Sequence, residues 1–240
     1  GAWSAYRPCY APPVTAGCFS GGNEKTRYFS SIGYLDDQGY VINTDFKRYT
    51  TRLNLNHEIR DWLKGGASMG YTVSRTNNPG QSSDSNSVFW FVDNIPSIYP
   101  LFLRDANGDK VADPFFGGNQ YDYGTDANGL ASRGFGGLTN SIADATYNKS
   151  RTDEHNLIGQ FSLDAKLNKY FSLESRFGLN YSDREFNDRK NPFYGSGAAA
   201  STKGSLFKRQ TRFLSQNFLQ MLRFDREFGN HRVDAFIAHE

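Results

Sequence analysis

Hydrophobic and polar residues alternate along several stretches of this chain. At residues 49–59 the odd positions hold Tyr, Thr, Leu, Leu, His and Ile, whereas the even positions hold Thr, Arg, Asn, Asn and Glu. A period of two is typical of an extended strand with one apolar face and one polar face. After a turn at Arg60 and Asp61 the alternation resumes over residues 63–74. The pattern predicts a hairpin whose strands, at about eleven residues, can cross a bilayer when tilted.

A second hairpin with the same pattern is predicted over residues 157–182. Asn168 and Lys169 form its short turn, and superposing the two hairpins by their turns places Trp62 over Tyr170. An aromatic residue beside a short turn is typical of the girdle of a membrane barrel at the lipid–water boundary.

Further strands are predicted at residues 27–35, 218–228 and 233–239, which brings the total to about seven. Two long segments with little periodicity, about 75–154 and 183–212, are predicted as loops. Short turns and long loops therefore alternate, as they do between the two sides of an outer-membrane barrel. A soluble sandwich has no reason to separate its turns by length. The pattern favours an all-β antiparallel meander that forms part of a large transmembrane β-barrel.

Residues 1–19 differ from the rest of the chain, because they are rich in Pro, Ala and Cys and show no period. Prolines at positions 8, 12 and 13 would interrupt a strand ladder, so we expect this segment to be unstructured and assign the partial barrel to residues 20–240. Cys9 and Cys18 could form a disulfide in an oxidising compartment. The segment lacks the basic start and apolar core of a signal peptide, so we expect a processed product or a fragment.

Composition narrows the class of protein further. The 20 Phe, 14 Tyr, 3 Trp and 24 Gly favour a β protein with many turns. The mean hydropathy of -0.65 and the lack of a long apolar run argue against membrane-spanning helices. A net charge of +2 with interspersed signs gives no electrostatic footprint for nucleic acid.

The polar residues do not predict catalysis. The four histidines are spread along the chain without the spacing of metal ligands, and no carboxylate pair stands out, so we expect no enzyme activity, no metal site and no cofactor. The segment from Asp105 to Asp109 resembles a calcium loop, but Lys110 and Phe116 occupy the places of the required Gly and Glu. A hairpin turn at Asn107 and Gly108 explains it better, and a weak calcium site stays open.

Several segments resemble, in order, the barrel wall of SusC/RagA-type TonB-dependent outer-membrane transporters. They are Ser-Gly-Gly-Asn-Glu-Lys-Thr-Arg-Tyr-Phe at 20–29, Gly-Tyr-Leu at 33–35, Thr-Asp-Phe-Lys-Arg-Tyr at 44–49 and Asp-Trp-Leu-Lys at 61–64. The resemblance covers residues 20–240 and implies about a third of a 22-stranded plugged barrel. It implies short periplasmic turns, long extracellular loops and a fragment that cannot transport alone.

The resemblance also implies partners and a location. Such a transporter lies in the cell outer membrane, takes up oligosaccharides or peptides, works with a SusD-like surface lipoprotein, and is driven by TonB through an N-terminal part missing from this chain. Outer-membrane lipid would surround it, and no nucleic acid is involved. In the parent barrel, the polar face would line the lumen with Arg52, Asn54, Asn56, Glu58, Gln160, Asp164, Glu174 and Arg176. The apolar face would meet lipid through Tyr49, Leu53, Leu55, Phe161, Leu163, Phe177 and Leu179.

Four aromatic residues of the first long loop are candidate substrate contacts: Trp90, Tyr99, Tyr121 and Tyr123. They could stack on sugar rings or contact a peptide, or they could instead pack the loop against itself. The alternative to a transporter is a soluble, secreted β-rich module that binds carbohydrate or peptide through the same aromatic residues.

Overall fold

The computed structural model describes residues 5–7, 14–78, 87–125, 132–199 and 201–240. They form one nine-stranded antiparallel sheet in which every strand pairs with the next one along the chain. The strands are β1 Ala5–Arg7, β2 Val14–Gly22, β3 Thr26–Gln38, β4 Asp45–Arg60, β5 Leu63–Asn77, β6 Lys149–Lys166, β7 Phe171–Lys190, β8 Ser205–Phe228 and β9 His231–His239. Three short helices lie between strands: α1 Val88–Asn94, α2 Ser141–Tyr147 and α3 Gly195–Ala199.

The antiparallel meander and both predicted hairpins are confirmed. β4 pairs with β5, and β6 pairs with β7, around the turns that the sequence indicates. Asn168 fixes the second turn, because its side-chain oxygen accepts hydrogen bonds from the backbone amides of Tyr170 and Phe171 at 2.8 and 3.0 Å. An asparagine that caps a turn in this way holds the register of the strands on either side.

The two long loops are shorter than predicted, because their flanking strands run further. β5 ends at Asn77 and β6 begins at Lys149, so the first loop is 78–148 rather than 75–154. The second loop is 191–204 rather than 183–212. The extra strand residues are mostly polar and were missed by a search for apolar alternation. Ion pairs across strands stabilise them, as between Arg75 and Asp153 at 2.8 Å and between Arg212 and Asp183 at 3.0 Å.

The prediction that residues 1–19 are unstructured is wrong for the part that the structure describes. β2 pairs with β3 along its whole length, from Val14 opposite Leu35 to Gly22 opposite Arg27. β2 belongs to the sheet because β3 would otherwise leave a long row of backbone groups unpaired. The prolines that argued against a strand, and Cys9, lie outside the described residues. Cys18 is buried and disulfide-bonded.

The sheet carries little core of its own. Many large apolar side chains on it are exposed, including Leu53 at 42 % and Leu163 at 43 %, whereas the cluster of buried aromatic and alanine side chains lies in the connections. A soluble sheet would cover its apolar face with a second layer. An uncovered apolar face is what a barrel wall presents to lipid. None of the helices in the described part of the chain is long and apolar enough to cross a membrane.

Candidate functional site

The long connections gather at one end of the sheet. In an antiparallel meander, successive connections fall at opposite ends. Residues 23–25, 61–62, 167–170 and 229–230 make short turns at one end. Residues 39–44, 78–148 and 191–204 therefore meet at the other end, and we call the described parts of 87–148 and 191–204 the loop unit.

Asp113 joins the two long loops of this unit. Its side chain lies among aromatic rings, and the residue is only 5 % exposed. One carboxylate oxygen accepts the backbone amides of Phe115 and Phe116 and the hydroxyl of Tyr194, the last at 2.8 Å. The other oxygen accepts the hydroxyl of Tyr147 at 2.5 Å. Tyr194 belongs to the second long loop, so one carboxylate ties together chain segments 81 residues apart.

Aromatic rings pack around this carboxylate. Phe115 stacks on Phe193 with 4.1 Å between ring centroids, and Phe116 stacks on Tyr147 at 4.2 Å. Tyr194 lies 5.6 Å from Tyr147 and contacts both phenylalanines of the first loop. Offset and edge contacts of this kind contribute about 0.5–1.5 kcal/mol each beyond the area they bury. The second loop is thus part of the same small core.

Asparagine side chains fix the backbone at the base of the unit. Asn140 is fully buried, caps α2 by accepting the amide of Ala143, and donates to the carbonyl oxygen of Asp122 at 2.9 Å. Asn191, 1 % exposed, donates from both its backbone and its side chain to the side-chain oxygen of Asn148. These last two residues stand where β6 begins and β7 ends. The hydrogen bonds between them hold both loops at the rim of the sheet.

The third connection at this end also contacts the unit. Asn43 adopts a left-handed backbone with φ of 58° and donates from its side chain to the carbonyl oxygen of Ala145 in α2, at 2.9 Å. Asparagine tolerates this backbone conformation better than most residues. All three connections therefore form one hydrogen-bonded surface at the long-loop end.

The four predicted aromatic residues divide into two groups. Tyr123 is buried, donates its hydroxyl to Asp144 at 3.0 Å and stacks on Tyr194. Tyr121 packs against Phe102 and Tyr147. For these two the alternative interpretation applies, since they pack the loop against itself. We therefore assign Tyr123 to the core of the loop unit rather than to a ligand surface.

Trp90 and Tyr99 are both half-buried. Trp90, in α1, is half-buried beside Phe135, with 6.1 Å between ring centroids. Tyr99 lies under the guanidinium of Arg133, which is 5.6 Å from the ring centroid and donates to the carbonyl oxygens of Gly136 and Thr139. Both rings are held in place while part of each faces outward. The structure therefore keeps these two as candidate contacts for a ligand.

A small cavity opens between the two long loops. Its volume is about 230 Å³, and its lining includes Tyr121, Asp122, Tyr123, Phe193 and Tyr194. Gly195 borders it with a φ of 67°, and a side chain there would collide with the ring of Tyr123. The cavity is too small for an oligosaccharide, since ligand sites for drug-sized molecules usually exceed about 300 Å³.

In the sheet, the strand register places the residues predicted to meet lipid and those predicted to line the lumen on two different faces. Leu55 pairs with Ala67, which pairs with Phe161, which in turn pairs with Phe177. Paired residues of an antiparallel sheet lie on the same face. By the same ladders all seven residues predicted to meet lipid share one face, which we call the apolar face. All eight predicted lumen residues share the opposite, polar face.

The polar face holds a hydrogen-bonded surface with a shallow cavity. Ser68 donates to the side-chain oxygen of Asn54 at 2.7 Å, and Lys64 pairs with Glu58 at 2.5 Å. Arg176 forms an ion pair with Glu174 and lies 4.0 Å from Asp164. A cavity of about 420 Å³ is lined by Asn54, Asn56, Ser68, Gln160, Arg176 and Asn217, among others. Neutral and charged donors and acceptors thus alternate on this face.

The residues that organise the loop unit were missed in the sequence. Asp113, Tyr147 and Tyr194 contact one another, Asn140 contacts Asp122, and Asn191 contacts Asn148. Most of these contacts join distant parts of the chain, and no local spacing indicates them. The turn at Asn107 and Gly108 was predicted and is confirmed: Asp105 accepts the amides of Asn107 and Asp109, and Gly108 has a φ of 87°. No cluster of three or more metal-ligating side chains occurs in the part of the chain that the structure describes.

Two carboxylates of the loop unit, the buried Asp113 and the half-buried Asp144, have pKa values shifted in opposite directions. Burial raises the pKa of Asp144, against hydrogen bonds from Tyr123 and Asn148 that lower it. Burial alone would also raise the pKa of Asp113, but the tyrosine and amide donors outweigh it and hold that pKa below its usual range. The unit should therefore respond to acid in two stages.

We expect the loop unit to be most stable near pH 4. The folded unit holds a proton on Asp144 more tightly than the unfolded chain, so its free energy of unfolding rises as pH falls through the raised pKa towards the ordinary value of about 3.9. The contribution of Asp113 is complete above that value and is lost below it. Urea unfolding at pH 7, 5.5, 4 and 3, followed by tyrosine near-ultraviolet circular dichroism, measures both stages. In Asp144→Asn the first stage should vanish; an identical rise in that variant would contradict the assignment.

Two curated proteins of similar sequence are TonB-dependent receptors. The chain is 23 % identical over 239 residues to TonB-dependent receptor P26 of Formosa agariphila, covering 95 % of this chain and 20 % of that protein. It is 24 % identical over 97 residues to TonB-dependent receptor P39 of the same organism, covering 40 % of this chain and 9 % of that protein. No family model matches the chain. It thus spans about a fifth or less of the length of these curated relatives.

Solved structures of the RagAB transporter share the fold of this chain. The RagAB peptide transporter superposes with a TM-score of 0.64 at 24 % identity, covering 94 % of this chain and 24 % of that chain. The RagAB peptide importer in its open-open state gives 0.65 at 23 % identity, covering 94 % and 23 %. The relatives are receptors and transporters rather than enzymes, in agreement with the prediction from the polar residues.

Proposed function

We propose that this chain, part of the β-barrel of a SusC/RagA-type TonB-dependent outer-membrane transporter, supplies a stretch of the wall and outer surface through which a nutrient enters. The observation that carries the proposal is the division of the sheet into two faces, with a closed loop unit at one end. The apolar face meets lipid, the polar face lines the lumen, and the loop unit faces the outside. The nutrient is an oligosaccharide or a peptide.

The two faces support this orientation. The apolar face carries Leu, Phe and Tyr side chains that are exposed on the isolated sheet, such as Tyr49 at 57 %. In water that surface would be costly, at about 25 cal/mol for each Å² left uncovered. In a bilayer the hydrocarbon covers it at no such cost. The hydrogen-bonding groups of the polar face suit a water-filled passage instead.

A SusD-like surface lipoprotein is the partner that we propose at the outer end, and TonB acts through a part of the transporter outside this chain. The loop unit supports a protein partner, because α1 and its neighbours expose large apolar side chains. Phe89 is 55 % exposed, Val92 62 % and Ile98 81 %. Exposed apolar side chains gathered on one surface are typical of a protein contact.

Spin labels on neighbouring residues of β4 test the facing. With the chain reconstituted in lipid vesicles, a label at Leu53→Cys should be relaxed more by oxygen, which concentrates in lipid, than by a water-soluble nickel chelate. A label at Asn54→Cys should show the reverse. If both labels prefer the chelate and the chain stays out of the vesicle fraction, the soluble secreted binding module is correct and the transporter proposal fails.

Trp90 is the aromatic residue for which we expect the largest effect on ligand binding. In the assembled transporter, Trp90→Ala should weaken nutrient binding about tenfold, since an aromatic contact of this kind contributes more than about 1 kcal/mol. Calorimetry with the transported oligosaccharide or peptide measures the affinity. Trp62→Ala removes the same side chain at the opposite end of the wall and serves as the control. Unchanged affinity in Trp90→Ala would assign Trp90 to packing with Phe135 alone.

A further inference from the structure

Two cations gather on aromatic rings at the short-turn end of the wall. The side-chain nitrogen of Lys169 lies 4.7 Å from the ring centroid of Tyr170. The guanidinium carbon of Arg226 lies 4.6 Å from the same ring and 4.5 Å from that of Phe228. At such distances the ring faces attract both cations. We call these four residues the basic turn cluster.

The cluster borders the apolar face. Phe224, Arg226 and Phe228 alternate along β8 and so point to one side of the sheet. Phe224 pairs with Phe171, and the ladder continues with Leu222 opposite Leu173. The ring of Tyr170 lies 6.4 Å from that of Phe224. Arg226 and the rings that hold it therefore occupy the edge of the apolar face next to the short turns.

The positive charge of the cluster is not compensated within the wall. Charged residues beyond the apolar rows at the long-loop end pair with one another, as Lys208 does with Glu185 at 2.9 Å. Within the described residues, Lys169 and Arg226 form no ion pair with a carboxylate. Asp225, next to Arg226, lies on the opposite face of β8 and forms an ion pair with Arg232. This edge of the sheet therefore carries two positioned cations, Lys169 and Arg226, whose N–H groups can bind an anion.

We infer that the basic turn cluster binds the phosphate group of an anionic phospholipid in the periplasmic leaflet. The inference rests on the proposed function, which places the apolar face in lipid. A guanidinium has donors in a fixed fork that matches phosphate oxygens, and stacking on two rings leaves the edges of that fork free. The acyl chains of the same lipid would lie on the apolar rows that begin at Phe171 and Phe224. The cations of the cluster and the apolar rows beside them therefore match the phosphate group and the acyl chains of one phospholipid.

Native mass spectrometry of the chain in detergent micelles tests the site. Phosphatidylglycerol is the probe, and diacylglycerol with the same acyl chains is the probe without phosphate. The double variant Lys169→Gln with Arg226→Gln should bind phosphatidylglycerol about tenfold more weakly, because each cation at a membrane surface attracts anionic lipid. The matched control is Lys110→Gln with Arg209→Gln, which removes one Lys and one Arg stacked on rings at the long-loop end. The control should bind as the parent does.

The outcomes separate this inference from the proposed function. Equal phosphatidylglycerol binding by the double variant and the parent, or an equal loss of diacylglycerol binding, would each overturn the phosphate site. Displacement of the lipid by millimolar inorganic phosphate would overturn the phospholipid as its occupant, because the site would then bind free phosphate. A chain that retains neither lipid and stays soluble without detergent overturns the membrane proposal itself. Circular dichroism checks that the variants keep their strands. If the double variant does not, Arg226→Lys carries the test, since it keeps the charge but loses the fork and should still bind more weakly.

Discussion

Replacing Asp113 by alanine is expected to release the second long loop from the first and to lower the free energy of unfolding of the loop unit by about 3 kcal/mol. The change leaves the hydroxyls of Tyr147 and Tyr194 without their buried acceptor and removes the cap from two backbone amides. Donors left unsatisfied in a buried site cost more than the net value of the bonds that they made. Hydrogen exchange of α2 and of residues 191–199 measures the release.

Asp105→Ala is the matched control for that experiment. Asp105 also accepts two backbone amides in a turn, at 2.9 and 3.0 Å, but these hydrogen bonds are exposed and no described tyrosine of another loop joins them. We expect its replacement to cost less than about 1 kcal/mol, because water can satisfy the amides that it leaves. Similar exchange rates for the two variants would mean that the aromatic stacking, and not the carboxylate, joins the loops.

Placing arginine at position 161 should destabilise the chain in a bilayer by about 2–4 kcal/mol, which is the cost of a basic side chain on the lipid face near the membrane centre. Phe161 lies in the middle of the apolar face, between Ala67 on β5 and Phe177 on β7. Unfolding by denaturant in vesicles, followed by tryptophan fluorescence, measures the change. The same experiment reports on the whole row, since its other members face the same way.

The neighbouring residue gives the control with the same new side chain. Gln160→Arg puts arginine on the polar face, beside the cavity lined by Asn54 and Asn217. Its charge can reach water in the lumen, so we expect a change below about 1 kcal/mol. If both arginines cost the same, the two faces do not differ in their surroundings. If only Gln160→Arg is costly, the facing is the reverse of the one proposed.

The strands of the sheet and their two faces could be predicted because the sequence patterns that specify them are local. Alternation assigns each residue of β4 to a face, and a shift of one position would exchange the faces completely, so the register is strongly specified. Short turns add a second local signal, as at Asn168, whose side chain caps the turn it stands in. The faces of all fifteen predicted wall residues follow from these two signals. What the faces contact is a separate question, which the spin-label and arginine variants address.

The remaining elements depend on contacts between distant residues. Asp113 and Tyr194 come into contact only after both loops fold. No sequence pattern beside either residue predicts this contact. The upper part of β7 is polar, so its strand structure comes from cross-strand ion pairs such as that of Asp183 with Arg212. β2 is short of large apolar residues and follows three prolines, yet β3 supplies it with a complete partner. In each case tertiary pairing decided the structure where local preference was weak.

In the proposed orientation, the unequal lengths of the strands determine the distance between the loop unit and the lipid. β4 has 16 residues, β7 has 20 and β8 has 24. A strand tilted by about 40° rises roughly 2.5 Å per residue, so an apolar band about 25 Å tall uses only about ten of them. On that geometry the remaining residues of β7 extend about 25 Å beyond the apolar band, towards the loop unit. In the proposed orientation the loop unit would therefore meet its ligands above the layer of lipid headgroups.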